Sequence, residues 1–358
     1  MFKGLKVATL VVAGALALAA CGSSTSSSSS SPAASGSDTA SASAACTPSD
    51  IKVGMAYDIG GRGDKSFNDS AAAGLDEAVK TLCVTSKELS AVPNETDAQK
   101  AARLTLLAQG GYNPIIAVGF AYAPALKLVA PKFPKVNFSI VDDSSYTAAN
   151  VANLTFAANQ ASYLVGVIAA QATKTKSVAY IGGVNVPLLV SFQKGFDAGV
   201  TATDPAVKIT DKYLTQPPDF SGFNAPDKGK ATAAGMYDAG ADVVYAAAGG
   251  SGGGVFVAAT AAKAAGTWAI GVDSDQYLSA DAAVQSVILT SALKNVNVAV
   301  FQVIDASVKG SPLTGVQVYD LSNKGVGYST SNPAVQPYTA KADEAAAAII
   351  AGTVTVPN

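Results

Sequence analysis

The sequence predicts an α/β protein of two lobes, each built on a doubly wound, mostly parallel sheet, and three observations carry that expectation. From Asp50 onward, short β-branched runs alternate with longer Ala-rich amphipathic stretches, the rhythm of βαβ units. Setting aside a leader and a Ser-rich stretch leaves about 310 residues, too many for one ordinary core and about right for two. The residues just after the expected strands are polar or Gly-rich, and open parallel sheets collect ligands there, outside the carboxyl ends of their strands.

The leader comes first. Lys3 and Lys6 precede an apolar run of about 14 residues, short of the roughly 20 that span a membrane, and the run ends Leu18-Ala19-Ala20-Cys21. Residues 1–20 read as a bacterial lipoprotein signal peptide with Cys21 as the acylated residue, which places the protein outside the cytoplasm on a lipid anchor of two or more chains. Residues 21–49 are dominated by Ser and Ala, include the run Ser26 to Ser31, and cannot bury enough surface to fold, so they form a tether. An oxidising compartment allows Cys46 and Cys83 to pair, closing the start of the folded region onto the second strand; two inert thiols are the alternative. Such a bridge contributes about 3 to 4 kcal/mol in the chain-entropy account.

Strands are expected at 51–57, 84–89, 115–119 and 136–141, with helices at 65–81, 96–109 and 123–130 between them. The alternation continues with helices at 160–172, 188–202, 227–239 and 254–264 and strands at 177–181, 208–214, 242–246 and 268–272. A strand at 287–293 and a helix at 295–309 follow. The chain is expected to cross between lobes more than once, with residues 50–157 and 272–306 in the N-terminal lobe and 158–271 and 307–356 in the C-terminal lobe. The strand ends to watch lie after Tyr57, Gly119, Val141, Ala246 and Val272.

Composition excludes several chemistries. Histidine is absent, removing the commonest general base and metal imidazole, and a net charge of −2 argues against nucleic-acid binding through a basic surface. The three cysteines contain no C-x-x-C pair, no calcium loop or phosphate-binding G-x-x-x-x-G-K-[ST] occurs, and no metal or cofactor is expected. Gly249-Gly250-Ser251-Gly252-Gly253 matches the G-x-S-x-G of hydrolases, but the Ser-His-acid relay has no histidine to use. Two S-x-x-K matches, Ser191 to Lys194 and Ser291 to Lys294, lack the partner motifs of penicillin-binding enzymes. No catalytic residue is assigned, and the chain is read as a binder.

After the first strand comes Asp58-Ile59-Gly60-Gly61-Arg62-Gly63-Asp64-Lys65-Ser66-Phe67-Asn68, whose glycines permit a tight turn and whose Asp64 or Ser66 can cap the next helix. Phe67 is placed to stack on a planar ligand or to pack into the core, while Asp58 and Asn68 offer hydrogen bonds. The string Asp64-Lys65-Ser66-Phe67-Asn68 after Tyr57-Asp58 resembles the basic membrane lipoproteins, nucleoside-binding lipoproteins of bacterial ABC importers. Gly195-Phe196 with Gly199, Asp227-Lys228-Gly229-Lys230, Ile270 to Gln276 and Thr290 to Lys294 are similar to that family in the same order, so the resemblance spans roughly 51–318.

The resemblance implies a type I periplasmic-binding-protein fold whose lobes close on a nucleoside, purine favoured, presented to an ABC permease and its ATPase by a monomeric protein. It implies that Phe67 stacks on one face of the base and Phe223 on the other, with Phe220 and Phe192 as alternatives in the second lobe. By the same resemblance Asp58 and Asp142 meet polar edges of the ligand, with Ser66 and Asn68 beside them; Gly249 allows close backbone approach, and Asp273 with Lys294 grips the ribose hydroxyls. A sugar-binding protein of the same fold is the alternative; a second is a surface adhesin using Arg62-Gly63-Asp64.

Overall fold

The computed structural model describes residues 46–263 and 266–358. The signal peptide, Cys21 and all but the last residues of the tether lie outside the described residues. The first lobe opens with β1 (Lys52–Tyr57), α1 (Phe67–Leu82), β2 (Thr85–Ser90), α2 (Asp97–Gln109), β3 (Ile115–Ala117), α3 (Ala123–Val129), β4 (Phe138–Val141) and β5 (Val151–Phe156). The second holds α4 (Ala158–Ala172), β6 (Ser177–Val184), α5 (Pro187–Thr203), β7 (Lys208–Thr215), α6 (Pro226–Asp238), β8 (Val243–Ala247), α7 (Gly252–Ala261), β9 (Trp268–Asp273), α8 (Gln276–Ser279), α9 (Ala282–Gln285) and β10 (Ile288–Lys294). The remainder is α10 (Val296–Val308), β11 (Gly315–Tyr319), β12 (Val326–Tyr328) and α11 (Thr339–Ile350).

Two six-stranded sheets result, ordered β11-β5-β4-β3-β1-β2 and β12-β10-β9-β8-β6-β7. Every pairing is parallel except β10 with β12. Helices on both faces explain why β3, β4 and β8 are buried along their whole length, so that no polar alternation marks them. Local chemistry sets some boundaries: at α2, Thr96 Oγ1 accepts from the Gln99 amide and Gln99 Oε1 accepts from the Thr96 amide, satisfying two donors of the first turn.

The division between lobes differs from the expected one after residue 271. Residues 272–294 were expected in the first lobe, yet β10 pairs parallel with β9, with one register shift between Ile288 and Thr290, and sits inside the second sheet. Residues 307–356 were expected in the second lobe, yet β11 joins the first sheet beside β5, from Gly315 opposite Ala152 to Tyr319 opposite Phe156. The chain thus crosses at 157, at 295 and between β11 and β12. The reason is partner choice: β10 completes a ladder that β9 leaves open, and α10 packs on α1, where a Cβ on Gly74 would stand 2.3 Å from the Asn297 carbonyl.

Cys46 and Cys83 are joined by a disulfide with Cα atoms 5.7 Å apart, tying the first described residues to the end of α1. In the second lobe α4 and α5 meet backbone to backbone. Cβ atoms on Gly166, Gly195 and Gly199 would lie 2.3, 2.2 and 2.1 Å from the carbonyl oxygens of Phe196, Asn159 and Tyr163. Among the described residues no helix is long and apolar enough to cross a membrane.

Candidate functional site

A cavity open to solvent, about 560 Å3 counting its mouth, lies between the lobes and is lined by both. Its first wall is the turn after β1. Asp64 accepts from the amides of Ser66, Asn68 and Asp69 at 2.9, 2.9 and 3.1 Å, and Asp69 accepts from Gly63 and Lys65 at 2.7 and 2.9 Å. The capping of α1 therefore belongs to Asp64, which leaves Ser66 free for another partner. Asn68 Oδ1 accepts from the Asp58 amide and Asn68 Nδ2 donates to the Ile59 carbonyl, so strand end and helix start move as one. Phe67 is held half-buried on this frame.

The same frame disposes of the adhesion motif. Arg62 forks onto Asp76 at 2.7 and 3.0 Å and donates to Glu88 at 2.5 Å, while Asp64 is spent on the helix start. Both charges of the tripeptide are engaged within the lobe.

The second wall comes from α5, which contributes Leu188, Leu189 and Phe192, and from the loop after β7, which contributes Phe223. Ser251, fully buried, donates to the Gly222 carbonyl and accepts from the Ala225 amide, both at 2.7 Å, stitching that loop to the turn after β8. The G-x-S-x-G match is therefore a structural cross-link. A Cβ on Gly183 would sit 2.7 Å from the Phe223 ring, so the ring rests directly on β6. Of the S-x-x-K serines and lysines, Ser191 and Lys194 hold Asn358, and Ser291 accepts from the Gln276 amide.

The floor joins the lobes. Lys294 Nζ lies 2.5 Å from Asp142 in the first lobe and 3.8 Å from Asp273 in its own, with side chains of all three at most 7% exposed. The ammonium also stands 4.5 Å from the Phe67 ring centroid and 5.6 and 5.7 Å from those of Phe156 and Phe192, distances at which the ring faces attract a cation. Asp142 Oδ1 is buried with no partner among the described residues, an acceptor left open. Asp142 and Asp273, at the ends of β4 and β9, both take left-handed backbone, φ 66° and 63°. Such conformations cost energy for non-Gly residues, least for Asp and Asn, and persist where the surroundings impose them. Burial pushes Asp273 up to about 6, against the pull of Lys294 and of Ser66, and pushes Asp58 up to about 6 as well.

A seam of cross-lobe bonds borders this floor. Ser66 Oγ donates to Asp273 at 2.7 Å, Ser274 Oγ donates to the Ser66 carbonyl, Gln276 Nε2 donates to the Lys65 carbonyl, and Lys65 pairs with Asp281 at 2.8 Å.

Asp58, Phe67, Asn68, Asp142, Phe223, Gly249, Asp273 and Lys294 all line the cavity; Ser66 does not, because its hydroxyl is turned into the seam. Among the second-lobe aromatics, Phe223 and Phe192 line the cavity and Phe220 borders a neighbouring crevice. Phe120, Leu188 and Leu189 line it too and were not singled out; Phe120 directly follows the strand end at Gly119, whereas the two leucines read as ordinary core. Among the described residues no group of three or more His, Cys, Asp or Glu side chains is placed to hold a metal ion.

Two doubly wound lobes clasping a cavity of aromatic faces, carboxylates and one ammonium define a two-lobed solute-binding protein. The model of a family described as ABC transporter substrate-binding protein PnrA-like matches residues 51–358, and the chain belongs to that family. It is 34% identical over 327 residues to the ABC transporter nucleoside-binding protein BmpA of Lactococcus lactis subsp. cremoris, covering 87% of this chain and 90% of that one. It is 33% identical to the CD4+ T-cell-stimulating antigen of Listeria monocytogenes, covering 86% and 88%. Among solved structures, an ABC transporter solute-binding protein from Aeropyrum pernix K1 superposes with a TM-score of 0.76 at 28% identity, over 86% of this chain and 94% of that one. The fold is that of the type I periplasmic solute-binding proteins.

Proposed function

We propose that this protein is a lipid-anchored receptor that captures a nucleoside, purine favoured, outside the cytoplasm and delivers it as a monomer to an ABC permease driven by a cytoplasmic ATPase. The observation that carries the reading is the cavity itself: Phe67 and Phe223 line it from opposite lobes, and Asp273 with Lys294 forms its charged floor. A planar base between two rings gains about 1 to 3 kcal/mol per stacking contact. A carboxylate beside an ammonium suits a pair of vicinal hydroxyls, each able to donate to Asp273 and accept from Lys294. Asp58, Asp142 and Asn68 supply further polar contacts, Ser66 supports Asp273 from behind, and Gly249 leaves room for close approach. The 34% identity to a protein named for nucleoside binding supports the ligand class. Cys21 and the preceding signal sequence support the anchor and the location.

A thermal-shift panel on the soluble chain from Cys46 onward, unfolded and refolded to strip carried ligand, tests this. At about 100 times Kd a ligand adds roughly 2.7 kcal/mol, raising Tm by several degrees. Nucleosides are expected to shift Tm while ribose, free bases and nucleotides do not. Phe67→Ala is expected to weaken a nucleoside by about 1 to 3 kcal/mol in titration calorimetry. A shift with ribose as large as with nucleosides overturns the reading in favour of a sugar.

A further inference from the structure

We propose that the ligand cleft continues into a second crevice that accepts a substituent on the exocyclic edge of the base, a short apolar linker ending in a carboxylate, and that Lys100 receives the carboxylate. The inference rests on the nucleoside reading above and extends it to the class of nucleoside. The crevice encloses about 800 Å3 with its open mouth and is lined among others by Ala91, Val92, Lys100, Ala121, Pro218 and Phe220. It shares Asp58, Ile59 and Phe223 with the central cavity, and neither Asp273 nor Lys294 borders it. A nucleoside with its sugar on Asp273 and Lys294 presents the far edge of its base at Asp58, and a group carried on that edge passes Ile59 and Phe223 into the crevice.

The lining matches such a group in two parts. Phe120, Phe220 and Phe223 cluster where cavity and crevice meet, with ring centroids 6.1 and 6.4 Å from Phe120, and offer apolar faces to a linker. Beyond them stand one acid and one base of unequal availability. The Glu95 carboxylate, 3% exposed, is engaged by both terminal guanidinium nitrogens of Arg103 at 3.0 and 2.5 Å. Lys100 has a side chain only 12% exposed, yet its ion pair is Asp97 at 3.6 Å, too long for a hydrogen bond, and Asp97 is 56% exposed. A lysine whose side chain is this covered and whose ion pair is this loose has a donor to offer an arriving anion. Its field already reaches the cavity, where Lys100 opposes the rise that burial imposes on Asp58.

Calorimetric titration of the ligand-stripped chain with adenosine, N6-butyladenosine and N6-(3-carboxypropyl)adenosine tests the inference. The carboxylate-ended ligand is expected to bind at least tenfold tighter than the butyl one and no weaker than adenosine. At about pH 8, where Asp58 is ionised with or without Lys100, Lys100→Met is expected to abolish that tenfold preference with adenosine changed less than twofold. Ala91→Trp, which fills the crevice, is expected to weaken both substituted ligands at least 30-fold and to spare adenosine, a control that also reports an intact fold. Wild-type protein that binds adenosine but loses tenfold or more on the carboxylate-ended ligand overturns this inference alone. So does a Lys100→Met loss that is equal for all three. Failure of adenosine itself to bind overturns the nucleoside reading and this extension with it.

Discussion

The two walls of the cleft are built in opposite ways. In the first lobe, Asp58 to Asp69 are fastened to one another: Asp64 to Ser66, Asn68 and Asp69, Asp69 to Gly63 and Lys65, Asn68 to Asp58 and Ile59. No bond in that set reaches further than ten residues along the chain. In the second lobe, the loop carrying Phe223 is fastened to distant elements, to Ser251 across 26 and 29 residues and, by ring contact, to Gly183. A wall with so many internal bonds keeps its own shape, while Ser66 and Lys65 join it across the seam to the second lobe. A wall hung on other elements moves with them, so the difference assigns rigidity to the Phe67 side and adjustment to the Phe223 side.

Cutting what joins the walls is expected to have the largest effect. Lys294→Met leaves Asp142 and Asp273 buried without their cation, and breaking a buried pair in this way costs about 3 to 5 kcal/mol. Urea denaturation is expected to show that loss, and Lys294→Met with Asp142→Asn to recover part of it. Next come the walls one at a time. Asp64→Ala strips the acceptor from three amides at the start of α1 and is expected to cost about 2 kcal/mol of global stability. Ser251→Ala leaves the Gly222 carbonyl and the Ala225 amide unpaired and is expected to cost about 1 to 3 kcal/mol. Hydrogen exchange separates the two: Ser251→Ala is expected to quicken exchange in residues 216–225 with 58–69 unchanged. Equal quickening in both segments would erase the contrast between the walls.

The smallest effect is on pH. Asp58 in the first wall and Asp273 on the floor have carboxyls raised by burial to about 6. The folded chain therefore holds protons that the unfolded chain has released between about pH 4 and 6. The stability these groups lend is present at the acid end and lost as pH rises through 6. Ligand affinity runs the other way, because donors on the ligand need the ionised form, and it is expected to rise about tenfold per carboxylate from pH 5 to 7. Asp58→Asn is expected to halve that slope on a logarithmic scale; an unchanged slope would place the whole dependence on Asp273.

What the sequence revealed follows the same division. The α1 turn was legible because its chemistry is local: glycines, a capping acid and an aromatic lie within a dozen residues. Periodicity marked the strands from β1 to β4 and from β6 to β10 to within a few residues. Strand β5 escaped because Asn153 stands in its middle, fully buried, its amide donating to the carbonyls of Asp143 and Tyr146, a reading that requires the folded loop. The lobe boundary after 271 was misplaced because nothing local to β11 says that its partner is β5. Leu188 and Leu189 carry no polar mark, and Ser66 looked like a ligand contact because its true partner, Asp273, lies 207 residues away.

The glycine-lined contact of α4 with α5 has a mechanical meaning. Helices separated by side chains can slide, because side chains change rotamer and take up the slip. Here the carbonyls of Asn159, Tyr163 and Phe196 face bare Cα atoms, and no layer exists to absorb displacement. The two helices therefore act as one lever. Its short end is the crossing at 157 and its working face is Leu188, Leu189 and Phe192. A rotation at the crossing would carry Leu188, Leu189 and Phe192 with it, and little of it would be lost between the helices.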